Sequence, residues 1–303
     1  MRSVLVRCLL LVGVALSAGC PSVPPQFGQS PSDGGTPAWA TEVLGAPPQR
    51  YLALRMSRAP GLRSEWRIRN GMKSIARAAM YSCRQLDVYN DGMADELMVL
   101  HDVPPSLDLS RPVPPAFAAP DVTAGADGDF RVFAQTRSGA RSYIQVSPSG
   151  APRGDGRPTI LVLPPSTWVF GDALEIARAE IAFDQGRGAP DLVTDGPDVI
   201  AESYVVGANL PPWLPSAQAA RGSGFVFFAA PTGSVALRTV YADASTADAG
   251  ARQLKELWAR RAIPSGWVSG FEEGITDVHS SGNVIFVNSQ LSLHDAVSLA
   301  NDL

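Results

Sequence analysis

From Tyr51 onward the chain sorts its apolar residues into short, strand-length runs, and Gly, Pro, Ser or Asn separates most of them. Runs of that kind must pair side by side to satisfy their backbone groups, and breaks so closely spaced favour hairpins. The pattern restricts the chain to a largely antiparallel sheet, with helices only where a 3.6-residue apolar stripe interrupts it.

The first expected strand is Tyr51–Met56, followed by Glu96–His101. Val103–Pro120 carries six prolines and reads as a loop. Phe130–Thr136 and Arg141–Ser147 alternate around Arg137-Ser138-Gly139-Ala140, a hairpin signal. Pro158–Phe170 is strongly apolar but broken by Pro164-Pro165, which implies a bulge, an edge position or two short strands. Val199–Val206, Phe225–Ala230 and Val235–Tyr241 come next, the last two joined by a tight turn at Thr232-Gly233. Ile275–His279 and Asn283–Asn288 form a further hairpin across Ser280-Ser281-Gly282.

Four helices are expected. Ser64 caps one running to about Gln85, with Ile75, Ala76, Ala79, Met80 and Cys83 on its stripe. Gly71 costs that helix up to about 1 kcal/mol relative to Ala. Asp172 and Glu175 have the spacing of a capping box for a helix to about Phe183, with Leu174, Ala177, Ile181 and Ala182 on one face. Ser245 or Thr246 caps a third helix to about Ala262, and Ser292 with Asp295 caps the last. The expected fold class is α+β: two related halves of antiparallel sheet with helices on one face. The C-terminal half has the split β-α-β order of a ferredoxin-like unit. The halves are expected at 49–187 and 188–303, divided in the Gly-, Pro- and Asp-rich stretch 184–198. Shared element order is the whole warrant for relating them.

The N-terminus has another grammar. Arg2 and Arg7 precede an apolar stretch from Leu5 to Leu16, and small residues lead to Cys20 in Leu16-Ser17-Ala18-Gly19-Cys20. This resembles the signal of bacterial lipoproteins, although Ser17 stands where that family prefers Leu. The resemblance implies cleavage before Cys20 and acylation of that cysteine, so residues 1–19 are read as signal peptide. It also implies a membrane partner held through the acyl chains. Pro21, in place of the Asp associated with inner-membrane retention, points to the outer membrane. Residues 20–48, rich in Pro, Gly, Ser and Gln, read as a tether that docks on the body near Trp39 and Val43-Leu44.

Cleavage would leave 303 − 19 = 284 residues with 25 − 2 = 23 basic and 29 acidic side chains, a charge of −6. That balance argues against nucleic acid as a partner. Beyond Cys20 the only cysteine is Cys83, so no intramolecular disulfide is expected, and its apolar neighbours mark it as a buried thiol.

Catalytic constellations are absent at the level of motif. His101, His279 and His294 form no ligand pair, and neither CxxC nor HExxH occurs, so no metal or other cofactor is expected. Asp87–Asp95 has the acidic density of a calcium loop, but Tyr89 and Met98 occupy ligand positions, and a solvated Asx turn is the better reading. No G-x-S-x-G or phosphate-binding glycine motif occurs. Glu272-Glu273 on a Gly-flanked loop could serve acid/base chemistry but more often is solvated. Trp213 and Trp267, on Pro- and Gly-rich loops, are candidate ligand or partner contacts. The expected function is a non-catalytic, membrane-anchored envelope lipoprotein with a protein-interaction or assembly role and an envelope protein as partner. The alternatives are a binding module for a small ligand, lipid or glycan, and a hydrolase assembled from scattered carboxylates.

Overall fold

The computed structural model describes residues 38–55, 74–91, 96–118, 130–147, 149–187, 199–206, 211–228, 233–264, 266, 270–292 and 295. Cys20, Trp267, His294 and the expected helix start at Ser64 lie outside them.

The described strands join one twelve-stranded sheet. They are β1 (Arg50–Leu54), β2 (Gln85–Asn90), β3 (Glu96–His101), β4 (Phe130–Gln135), β5 (Arg141–Gln145) and β6 (Ile160–Leu163). β7 (Thr167–Phe170), β8 (Val199–Val206), β9 (Ala220–Phe228), β10 (Ser234–Tyr241), β11 (Ile275–Ser281) and β12 (Val284–Gln290) complete it. The spatial order is β11-β12-β10-β9-β8-β1-β2-β3-β7-β6-β5-β4. Every pairing is antiparallel. β1 lies near the middle of the sheet, with β2 on one side and β8 on the other. The class is α+β, as the spacing of apolar runs implies. In the C-terminal half β12 lies between β10 and β11 and is antiparallel to both, which is a split β-α-β unit. β9 occupies the other flank of β10.

The helices are α1 (Ala38–Leu44), α2 (Ser74–Ser82), α3 (Ala173–Asp184) and α4 (Ala244–Ala259). α2 and α4 pack on one face of the sheet and α1 and α3 on the other, so the helices do not share the one face expected. Alternating strand residues feed two core clusters. One holds Leu54, Leu86, Leu100, Trp168, Leu237 and Ile285 against α2 and α4. The other holds Tyr51, Tyr89, Val99, Leu161 and Val169 against α1 and α3. The prolines at Pro164-Pro165 mark a turn between two short strands, β6 and β7. At the β11–β12 turn Gly282 has φ +56°, a conformation glycine adopts without a Cβ penalty.

Three further expectations change. The stretch read as tether to residue 48 already holds α1, because Trp39, Val43 and Leu44 place an apolar face on the body. The α4 cap is Asp243, which accepts from Thr246 N–H at 2.8 Å; its carboxylate outcompetes the neighbouring hydroxyls. Asp87 is in no solvated turn: it lies in β2, a central strand, and is fully buried. Cys83 is buried as expected, its thiol donating to Met80 O at 3.1 Å.

Candidate functional site

Trp213 lies in the core, with its indole N–H donating to Glu272 Oε1 at 3.4 Å. The ring is a wedge under the 211–215 turn and has little surface to offer a partner. Glu272 is therefore turned inward and not solvated, whereas Glu273 faces solvent. Asp277 accepts from His279 Nδ1 at 2.8 Å along edge strand β11, and that imidazole stacks on Phe286 with centroids 5.1 Å apart. The carboxylates of Glu272, Glu273 and Asp277 are thus held in separate arrangements. Among the described residues no three His, Cys, Asp or Glu side chains gather as a metal site.

Sequence reading missed a row of polar side chains on the α1–α3 face. Register places Gln85 beside His101, and Glu202 and Asp87 on either side of Ala53. Asp87 Oδ2 lies 3.0 Å from His101 Nε2, and Gln85 donates to its other oxygen at 3.3 Å. Tyr89, two residues along the same strand face, also bonds Asp87. Further along, Glu202 and Arg238 form a buried ion pair at 3.6 Å. Burial pushes the Asp87 carboxyl above its ordinary range, against the opposing effects of His101, Gln85 and Tyr89. Burial, then the charges of Asp87 and Glu202, push the Tyr51 hydroxyl well above its usual value. No hydrogen bond among the described residues joins either His101 or His279 to a serine or cysteine, so neither Asp–His pair is completed into a nucleophile relay. The row acts as polar register for the central strands.

The second feature lies at the β4 end of the sheet. The Asp172 side chain accepts from the N–H groups of Leu174 and Glu175, and Glu175 returns a bond from the Asp172 N–H, the capping box expected. The helix so started turns Ile176, Ala179 and Ala182 onto the sheet. Leu174 and Ile181, expected on the buried face, stand 56% and 55% exposed. α3 carries two apolar stripes, and β6 and β7 take the one with the smaller residues. Leu174, Ala177 and Ile181 form a surplus stripe on the outside.

Between that stripe and the β4–β5 hairpin lies a half-open groove of about 430 Å³, lined by Phe133, Ser142, Pro158, Leu174 and Ala177, with Arg157 and Glu180 at its borders. Ser142 is 2% exposed and its hydroxyl makes no hydrogen bond to a described residue. Burial, then the charge of Asp184, raises the Glu180 carboxyl from its ordinary value. The large hydrophobics exposed among the described residues are Val132, Phe133, Leu174 and Ile181, all on β4 or α3. A groove of this size and lining suits an apolar side chain cluster or a small apolar ligand. Its sequence signal was the second stripe of α3, which a single-face reading merges with the first.

Compared with known proteins, the chain matches no family model and no curated sequence. Among solved structures, crystal form I of TP0453 aligns at 11% identity, covering 86% of this chain and 96% of that one, with a TM-score of 0.47. Crystal form IV of TP0453 aligns at 12% identity over 87% and 99% of the two chains, with a TM-score of 0.46. Crystal form III gives 12% identity, 86% and 97% coverage, and 0.44.

Proposed function

We propose that this chain is a membrane-anchored envelope lipoprotein whose folded body is a non-catalytic interaction module. The anchor rests on the sequence around Cys20. The body's working surface is the α3 stripe with the groove beside it. The observation that carries this reading is the exposure of Phe133 and Leu174 on the lining of one groove, with Ile181 exposed further along the same helix. Apolar side chains scattered over a surface need no explanation, whereas clustered ones beside a concavity mark a contact site. An envelope protein presenting apolar side chains is the partner that fits a half-open groove. The concavity itself favours a second reading, in which a small apolar ligand occupies it.

A photoreactive amino acid placed at Leu174, in cells carrying the acylated protein, tests both readings. The expected result is one discrete adduct of higher mass, lost when Ile181 is changed to Glu. A small-mass adduct moves the assignment to ligand binding. No adduct at Leu174, with efficient labelling by water alone, removes the interaction reading.

A further inference from the structure

We infer that the groove between α3 and the β4–β5 hairpin binds a small amphipathic amine, an apolar body with an ammonium at one end and a hydroxyl or carbonyl at the other. The inference deepens the small-ligand reading of the groove given above and rests on it. Two polar side chains in the lining carry it. The first is Ser142, which stands in β5 beside Leu161 of β6, on the face of the sheet that α3 covers. Ser142 is 2% exposed, lines the groove, and its hydroxyl has no hydrogen-bond partner among the described residues. A buried hydroxyl left without a partner is a cost that a ligand oxygen removes, and serine can donate to it or accept from it. Phe133 is the extra residue in the register shift between Val132 and Ala134, and this bulge brings its half-exposed ring to the groove.

The second is Glu180. Ala173, Ala177 and Glu180 follow one another along one side of α3, so that wall of the groove begins apolar and ends acidic. Asp184 stands one turn further on, and its charge acts on Glu180. Neither carboxylate forms an ion pair among the described residues. Arg157, the cation in the lining, is already held by Asp155 at 3.4 Å. A carboxylate beside a like charge gains from an opposite charge within reach, so the complement of this end of the groove is a cation.

The two polar points lie apart. The Ser138 hydroxyl donates to Asp184, which sets the hairpin turn against the last turn of α3. From that contact to Ser142 the hairpin advances 142 − 138 = 4 residues, about 13 Å. From the same contact back to Glu180 the helix covers 184 − 180 = 4 residues, about 6 Å. The hydroxyl and the carboxylate are therefore offset by about 7 Å along the groove. Phe133, Leu174 and Ala177 supply the apolar contact beside them. A ring that carries a hydroxyl and a short aminoalkyl arm has that span. A lysine or tyrosine side chain of a protein offers one of the two groups but not both. A fatty acid is a poorer occupant, because its carboxylate would meet Glu180 and Asp184.

The test titrates three probes by NMR into the full chain carrying Cys20→Ser, so that acyl chains take up none of them. Tyramine has both polar groups, phenethylamine lacks the hydroxyl, and 4-ethylphenol lacks the ammonium. Tyramine is expected to bind most tightly and each truncated probe roughly fivefold more weakly. In Ser142→Ala, tyramine and phenethylamine are expected to bind alike; in Glu180→Gln, tyramine and 4-ethylphenol are. Ala177→Phe, which fills the groove from an exposed helix position, is expected to abolish binding of all three while circular dichroism matches the parent. Equal binding of the three probes to the parent overturns the inference and leaves an apolar groove standing. Tyramine preferences that persist in the Ser142 and Glu180 variants, or binding that survives Ala177→Phe, overturn it too. Binding of none of the three overturns both the inference and the small-ligand reading beneath it.

Discussion

Arg238 heads the fully buried side chains by volume. Gly224 stands opposite it in the ladder, and a Cβ there would come within 1.8 Å of Ser203 O. Arg238 fills space on that face and meets Glu202. Arg238→Met removes one member of a buried ion pair. The expected loss is about 3–5 kcal/mol, read from urea unfolding, with much of it restored by adding Glu202→Gln. Asp87 carries a different prediction. Its folded-state pKa lies above the ordinary 3.8, so the folded protein holds that proton more tightly than the unfolded chain. Its stability contribution is complete below the ordinary value and is lost as pH rises through the raised one. Relative to Asp87→Asn, the parent's melting temperature is expected to fall as pH rises above 3.8. A parent and variant that track each other across that range would remove this assignment. The groups facing Asp87 are Gln85, Tyr89 and His101, with Tyr51 coupled to it. None of this was legible locally, because Asp87, Asn90, Asp91 and Gly92 have the composition of a turn, and only the flanking strands turn such a segment into a core strand.

At the scale of elements, the strand runs and the hairpins were legible, since a run and its turn are decided within a few residues. The α3 cap was too, because both of its hydrogen bonds span three residues. Asp172→Ala is expected to cost about 1 kcal/mol, seen as a lower urea midpoint with unchanged slope. Helix faces were less legible. Leu174, Ala177 and Ile181 make as good a stripe as Ile176, Ala179 and Ala182 by spacing alone. The sheet resolves the tie: small Ala179 and Ala182 allow α3 to approach Leu161, Leu163 and Val169 closely. The bulkier stripe is left outside, where it borders the groove.

At the scale of the molecule, one twelve-stranded sheet runs through the described residues, with β1 near its middle. The anchor reading makes its own prediction there. Cys20→Ser is expected to release the protein from washed membranes while its circular dichroism stays unchanged, and membrane retention of that variant after carbonate washing would defeat the assignment. By itself the sequence determined the alternating runs, the turns between them, the capping box and the α+β class, because each depends on residues close along the chain. Tertiary structure alone decided that Asp87, Glu202 and Arg238 are buried, which stripe of α3 faces out, and that this stripe lines a groove together with Phe133 of β4. Those outcomes depend on strands brought together from distant positions, and on which of two similar faces packs more closely.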